Sequence, residues 1–458
     1  MENTPILSID NAYSSQQQFF QSGQTKNLKF RIIQLKNLKR LILKYEKEIE
    51  EALWLDLHKS KQEVFLTETS IVLQEIDNHI RHLKKWTKPH CVSSPIAIFP
   101  SKSKIIHEPL GVALIVAPWN YPFQLLFNPL IGAISAGCCA ILKSSPQAEN
   151  ISEVMRTIIS KAFPTSYIYF CNGNREVNKH LFEKQFDVIF CTGSADMGKR
   201  VMAASAKYLT PVVLELGGKS PCIVNKTADI KIAARRIAWG KTLNCGQTCV
   251  APDYLFLHKE IKEKFIDEYK KAVEKLHGKD LKNAPYYPRI IGHNAMERLI
   301  SYLEYGKVIY GGEYDLKEKY FSPTLLDEVT PDKPVMQEEI FGPIFPIMTF
   351  ENINEVMTFV NNNHKPLAFY YFGCKKDAKK VMCSTSAGGT CINDTIVHLA
   401  NHKLPFGGVG NSGMGKYHGK LSFTAFSNAR AVVISHNWID LPFRYPPFKM
   451  FRLVKKML

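Results

Sequence analysis

The chain has no run of about 18 consecutive apolar residues, the length a helix needs to cross a bilayer, so nothing in it reads as a membrane span. Its first residues, Met1 to Pro5, offer no basic stretch followed by an apolar one, and a signal peptide is not expected there. There is no internal repeat and no low-complexity tract, which argues against a solenoid or a disordered chain. Paired cysteine spacings are missing too. The 11 cysteines are odd in number and irregularly placed, so neither a disulfide framework nor a zinc site is indicated, and no metal is expected. A reducing cytoplasm is the simplest compartment. Helix-turn-helix, finger and aromatic-basic sheet motifs are absent. The net charge of +17 therefore reads as a lysine-rich enzyme surface, with no nucleic acid as partner, though such a surface still attracts anionic cofactors or anionic lipid.

What is present suits a soluble α/β protein. At roughly 150 residues per domain, 458 residues make two or three domains, and an apolar content of 45% supplies a large core. Residues 16–88 carry apolar side chains at helical spacing, among them Ile33, Leu38, Leu41, Ile42 and Tyr45, and read as packed helices. Residues 89–109, rich in proline and serine, read as a projecting hairpin or a connector. From Gly111 the pattern changes. Continuous apolar runs at 111–118, 140–143, 167–170 and 187–191 alternate with helix-like segments, and the adjacent Cys138 and Cys139 fall in one of those helix-like runs as packing residues. That alternation predicts a doubly wound parallel sheet, which binds ligands at the carboxyl ends of its strands.

Several strand ends carry chemistry. Asn120 sits in a turn stiffened by Pro118 and Pro122, where a fixed amide donor can stabilise an oxyanion. Lys143 ends the next strand, placed for a ribose or a phosphate. Gly193 and Ser194 precede a helix from Ala195 with Gly198 in its first turn, leaving backbone N–H groups for phosphate. Glu215 stands in an apolar strand before a Gly-Gly turn. Burial would raise its pKa toward that of a general base, while an ion pair with Lys219 is the structural alternative. Glu339 and Phe341 flank a Gly-Pro turn, and residues 404–415 form a glycine-rich run. Between a helix-like run at 230–242 and a strand-like run at 254–258 lie Cys245 and Cys249, thiols on a loop held by rigid elements. Residue pattern alone leaves open which of the two is a nucleophile and which is packing.

Taken together, Pro118-Trp-Asn, Leu214-Glu-Leu-Gly-Gly-Lys-Ser-Pro, Gly246-Gln-Thr-Cys, Glu338-Glu-Ile-Phe-Gly-Pro and Leu404-Pro-Phe-Gly-Gly-Val-Gly-Asn-Ser-Gly resemble the aldehyde dehydrogenase superfamily, most closely its class 3, fatty-aldehyde dehydrogenase-like branch. The resemblance covers about residues 16–430. It implies Cys249 as nucleophile, with Cys245 a bystander, Glu215 as general base, and Asn120 with the Cys249 backbone N–H as oxyanion donors. It implies Lys143 on the adenosine ribose, Gly193, Ser194 and Gly198 beside the pyrophosphate, and Glu339 and Phe341 on the nicotinamide ribose. The family often has Lys-Pro-Ser-Glu where this chain has Lys143-Ser-Ser-Pro146. The missing carboxylate leaves room for a 2′-phosphate, so the cofactor is NAD or NADP.

The implied reaction is oxidation of an aldehyde to a carboxylic acid through a cysteine thiohemiacetal and a thioester. A cofactor-free thiol esterase on the same residues is the alternative, and Glu215 argues for water rather than coenzyme A as acyl acceptor. The implied fold has a cofactor domain at 1–87 and 104–209, a catalytic domain at 210–390, a β oligomerisation arm at 88–103 and 391–430, and a tail at 431–458. A homodimer is the expected assembly. Trp239 and Leu243, four apart on one helix face, and Tyr121 after the oxyanion asparagine are candidates for an apolar funnel favouring medium or long aliphatic, or aromatic, aldehydes. At 100° per residue, residues 449–458 put apolar side chains on one side and Lys449, Arg452, Lys455 and Lys456 on the other. That pattern suits weak peripheral contact with a membrane surface, or packing on the protein.

Overall fold

Strand order is what gives the cleft its position. In a computed structural model, which describes residues 2–448, 451, 452 and 455, one six-stranded sheet runs in the order Gly413–Met414, Val212–Leu216, Val188–Gly193, Val112–Val116, Cys139–Lys143, Ile168–Cys171. All pairings are parallel except that of Gly413–Met414. Every residue of Val112–Val116 and Cys139–Lys143 is buried. Helices cover both faces of such a sheet, so the central strands have no side for polar residues and read as unbroken apolar runs. From Val112–Val116 the chain moves outward through Cys139–Lys143 and Ile168–Cys171, then returns to the other side at Val188–Gly193. The reversal leaves a crevice at the carboxyl ends of Val112–Val116 and Val188–Gly193, where open α/β sheets take their ligands.

A second, seven-stranded sheet has the order Lys307–Tyr310, Thr324–Asp327, Ile344–Phe350, Tyr254–His258, Pro221–Val224, Ala368–Phe372, Gly389–Ile392. It is parallel apart from its first edge strand. A third sheet is antiparallel: His90–Val92, Ser101–Pro109 and Ser427–Ser435, the last two paired over nine residues with Val433 and Ile434 exposed. Residues 89–109 thus form a hairpin, and Val212–Leu216 stands in the first sheet although it lies past residue 209.

The amino-terminal helices pack as their periodicity implies. Leu35, Leu38, Leu41 and Ile42 are buried, but Ile33 faces outward at 60% exposure. Cys138 and Cys139 are buried as anticipated, yet not in a helix. The helix Pro122–Ala136 ends at Gly137, and Cys139 opens a strand. The helix Ile230–Thr242 is followed by Leu243 as its C-cap, whose N–H donates to the Trp239 carbonyl and whose ψ of 129° turns the chain out of the helix. Among the described residues no helix is long and apolar enough to cross a membrane. The amphipathic pattern at 449–458 lies largely outside them.

Candidate active site

The loop that carries the two thiols is strained and heavily braced. Asn244, Cys245 and Gly246 have φ of 48°, 54° and 74°, three consecutive left-handed residues directly after a helix. For the two non-glycine residues this costs on the order of 1–3 kcal/mol each, and the surroundings hold the conformation. Glu63 Oε1 accepts the Asn244 N–H at 2.8 Å. The Gln247 side chain donates to the Asn244 and Arg289 carbonyls at 3.0 and 2.9 Å and accepts from the Ile291 N–H at 2.9 Å. Gly246 lies so close to the 338–343 turn that a Cβ there would be 2.2 Å from the Gly342 carbonyl oxygen. The loop therefore turns Cys245 inward, buried with its thiol donating to the Tyr287 hydroxyl at 3.3 Å. Cys249 is left half-buried and facing a cleft.

That cleft has a volume of about 280 Å³ and opens at the crevice between the first sheet's strand ends. Asn120, Glu215 and Cys249 line it together with Gly193, Ser194, Glu339 and Phe341. Sequence reasoning did not single out four further wall residues, Trp119, Leu125, Thr192 and Arg298. Trp119 meets Phe341 edge to face, ring centroids 5.4 Å apart, and so narrows the cleft. Gly198 stays outside it: the residue is buried against Leu216, close enough that a Cβ would be 2.8 Å from a Leu216 methyl. Lys143 ends its strand only 3% exposed. Neither it nor Tyr121, Trp239 and Leu243 line this cleft. Tyr121 is buried, bonded to the Thr248 hydroxyl at 2.7 Å. Trp239 is 38% exposed and Leu243 half-buried.

Burial dominates the electrostatics. Glu215 is 2% exposed, and among the described residues neither of its carboxylate oxygens has a partner in hydrogen-bonding geometry. Burial holds its pKa well above the carboxylate range, with Lys416 and the Gly408 backbone N–H pulling the other way. Lys219 is not its partner. That ammonium pairs with Asp253 at 2.6 Å and donates to the Val335 and Glu338 carbonyls. The glycine-rich run explains how the carboxylate is shut in. Gly413 (φ 142°) pairs with Glu215 so closely that a Cβ would be 2.2 Å from the Leu214 carbonyl oxygen. At Gly407 (φ 146°) a Cβ would be 2.8 Å from Glu215 Oε1. Burial also raises the Cys249 thiol, and Glu339 and Glu215 add to the effect by charge. Glu339 is itself lifted to about 8, by burial and by Asp253. Asn120 donates from Nδ2 to the Gln247 carbonyl at 3.1 Å. A carbonyl only accepts, so this contact fixes which end of the amide faces it.

These residues fit a nicotinamide dinucleotide. Ser194 caps the helix Ala195–Ala206 by accepting the Met197 N–H, so the helix amino end opens toward the cleft. Among the described residues, Thr192 Oγ1, Asn120 Oδ1 and both Glu215 oxygens are buried polar atoms still without partners. Past Ser194 the cleft meets a hollow of about 700 Å³ whose basic lining residues are Arg175, Lys179, Arg200 and Lys207. Among the described residues no cluster is arranged to hold a metal ion.

Comparison with known proteins agrees with this geometry. Residues 7–432 match the model of the aldehyde dehydrogenase family. The chain is similar to 4,4'-diaponeurosporen-aldehyde dehydrogenase of Staphylococcus aureus, 44% identical across 98% of both chains. It is 43% identical to the aldehyde dehydrogenase, dimeric NADP-preferring, of Canis lupus familiaris, over 93% of this chain and 95% of that one. Among solved structures, the substrate-bound state of Staphylococcus aureus AldH superposes with a TM-score of 0.96 at 44% identity, covering 98% of this chain and 99% of the other. The NAD+ complex of an aldehyde dehydrogenase from Bacillus cereus gives 0.84 at 26% identity, covering 94% and 90%.

Proposed function

The chain belongs to the aldehyde dehydrogenase family, and from that premise we propose that it oxidises aldehydes to carboxylic acids with NAD or NADP through an acyl-enzyme on Cys249. The observation that carries this reading is the single cleft lined by Cys249, Asn120 and Glu215.

Each residue has a step. The Cys249 thiol is protonated at neutral pH, chiefly because burial opposes its charge. Addition to the aldehyde carbon therefore needs its proton taken up as the C–S bond forms, by Glu215 through a water. The carbonyl oxygen becomes an oxyanion, which the Asn120 amide and the Cys249 backbone N–H stabilise. The nicotinamide ring, when bound, supplies the acceptor for the hydride that leaves this carbon. A thioester remains on Cys249. Glu215 gives up the thiol's proton to solvent and then takes one from water, whose oxygen adds to the thioester; it returns that proton to the Cys249 sulfur as the thiol leaves. The second oxyanion collapses, expelling the thiol and the acid. Burial suits Glu215 to this task because it makes the carboxylate a stronger base than an exposed glutamate.

The six-stranded sheet would hold the cofactor, with the pyrophosphate at the Ser194 helix end, the adenosine ribose near Lys143 and the nicotinamide ribose near Glu339 and Phe341. Pro146, in place of a carboxylate, favours tolerance of a 2′-phosphate, and the hollow beyond Ser194, with four basic residues against Glu183 and Asp196, is in keeping with it. The relative from Canis lupus familiaris, described as NADP-preferring, is in keeping with that. The seven-stranded sheet carries the thiol loop, and the long exposed Ser427–Ser435 pairing forms an arm for a homodimer. Medium or long aliphatic, or aromatic, aldehydes are the favoured substrates. The basic amphipathic tail supports a weak, salt-sensitive contact with anionic lipid, which vesicle sedimentation at low and high salt tests.

The experiment that tests the assignment is a panel of aldehydes of increasing chain length, each assayed with NAD and NADP for reduced nicotinamide. The reading expects reduction, with kcat/KM rising from acetaldehyde to longer chains. Ester hydrolysis with no reduction on any aldehyde would favour the thiol esterase instead. A flat or falling series would remove the substrate preference alone.

A further inference from the structure

Lys59 lies in the link between the helices Glu46–Leu57 and Lys61–Val64, and Glu68 follows in the next helical turns; both are far in sequence from the thiol loop, and both side chains are fully buried. They form an ion pair at 2.7 Å. Glu68 stands in a turn of π-helix, Phe65–Thr69, a rare geometry that recurs at functional sites. Its second oxygen accepts the Gln124 N–H at 2.9 Å, at the start of the helix that follows Asn120. The Lys59 ammonium has three donors, and three groups surround it: Glu68, the Asn120 backbone carbonyl at 2.8 Å, and the Tyr121 ring 4.0 Å away. The Asn120 carbonyl takes a second bond, at 2.8 Å, from Asn244 Nδ2, which also donates to the Gln247 carbonyl at 3.0 Å. That same Gln247 carbonyl accepts from the Asn120 side chain. The network therefore closes on itself, joining the residue 120 turn to the thiol loop.

We propose that Lys59 is a positioning residue for Asn120: with Asn244 it grips the Asn120 carbonyl from behind the cleft, and so fixes the side-chain amide where an oxyanion on the Cys249 adduct would form. This rests on Asn120 being the oxyanion donor. A charged donor is suited to the task. The carbonyl is out of reach of water, and a charge-assisted bond is shorter and stiffer than a neutral one. Displacing a catalytic donor by about 1 Å can cost about 100-fold in rate, so a rigid strut on the main chain matters although it touches no substrate.

The test is a double-mutant cycle on the full-length enzyme, read as the single-turnover rate of nicotinamide reduction. Lys59→Met alone would strand the buried Glu68 charge, so the strut is removed as the neutral pair Lys59→Met/Glu68→Gln. Asn120→Ala removes the amide but leaves the carbonyl that Lys59 holds. Asn120→Ala is expected to slow the step by about 10²–10³, as loss of one oxyanion donor does, and the neutral pair by about 10- to 100-fold. Combining them should be no slower than Asn120→Ala alone, within about twofold, with cofactor affinity unchanged throughout. A merely structural role would instead give losses that multiply, and that result overturns the inference, as does a neutral pair with the wild-type rate. If the neutral pair does not fold, Asn244→Gly carries the same cycle. It removes the second strut, and glycine tolerates the left-handed backbone there. Were Asn120→Ala to leave the rate unchanged, the oxyanion assignment itself would be the part that fails, taking this inference with it.

Discussion

Replacing Lys143 with methionine should stabilise the free protein and weaken cofactor binding at the same time. Lys143 ends the strand Cys139–Lys143 and is only 3% exposed. Burial lowers its pKa from 10.5 to about 8, and the Cys171 and Cys191 thiols offset this only in part. The sign follows from linkage. The folded state holds the proton less tightly than the unfolded chain, so keeping the ammonium charged costs folding energy below about pH 8. That cost fades as pH rises from about 8 toward 10.5. At about 1.4 kcal/mol per tenfold, it amounts to about 3 kcal/mol at pH 7 and about 1 kcal/mol at pH 10. With an unfolding entropy of about 2.1 cal/mol/K per residue, a chain of 458 residues has about 1 kcal/mol/K. The substitution, close in shape, should then raise Tm by about 3 °C at pH 7 and by about 1 °C at pH 10. Loss of a hydrogen bond from a charged group should raise the Kd for NAD or NADP about tenfold or more. Scanning calorimetry at the two pH values and a fluorescence titration of cofactor measure both effects. A Tm that falls at pH 7, or a rise of equal size at both pH values, would refute the reasoning.

Cys249→Ser should abolish aldehyde oxidation while Cys245→Ser keeps most of it, because Cys245 is buried against Tyr287 and only Cys249 faces the cleft. Activity in both variants, or loss only at Cys245, would reverse the assignment. Glu339→Gln should speed iodoacetamide alkylation of Cys249 above about pH 8 and change it little below. Glu339 is neutral below that value and, once ionised, opposes the thiolate. Equal acceleration at pH 6.5 and 9 would contradict this. Gly413→Ala should slow turnover and lower Tm, because its Cβ would be 2.2 Å from the Leu214 carbonyl, beside Glu215. Wild-type values in both would mean that the glycine-rich run does not hold the base.

Much of this architecture could be read from residue pattern, for a physical reason. A strand buried on both faces has no polar alternative, so the strands at 112–116, 139–143 and 188–193 stand out as apolar runs with turn residues at their ends. Function collects at those ends, and Asn120, Gly193 and Ser194 were visible there. The bracing of the site was not. Lys59, Glu63 and Glu68 are spaced like any solvated helix face, and a buried ion pair leaves no periodic trace. Only the fold shows that they reach Asn120 and Asn244. Lys219 was a plausible partner for Glu215 because it is close in sequence, but the turn between them sends its ammonium to Asp253. Trp239 and Leu243 do stand one turn apart, the Leu243 N–H bonding the Trp239 carbonyl, but the left-handed residues of the thiol loop begin at Asn244 and neither side chain lines the cleft.

The central claim is that Cys249 carries the acyl group and Glu215 activates the water that removes it. The most direct measurement is intact mass of Glu215→Gln after mixing with aldehyde and cofactor, followed by peptide mapping. General-base loss slows such a step by about 10²–10⁴. The account therefore expects one equivalent of reduced nicotinamide, then a persistent adduct heavier by the acyl group, located on Cys249. An adduct on Cys245, or Glu215→Gln turning over at the wild-type rate with no adduct, would contradict it.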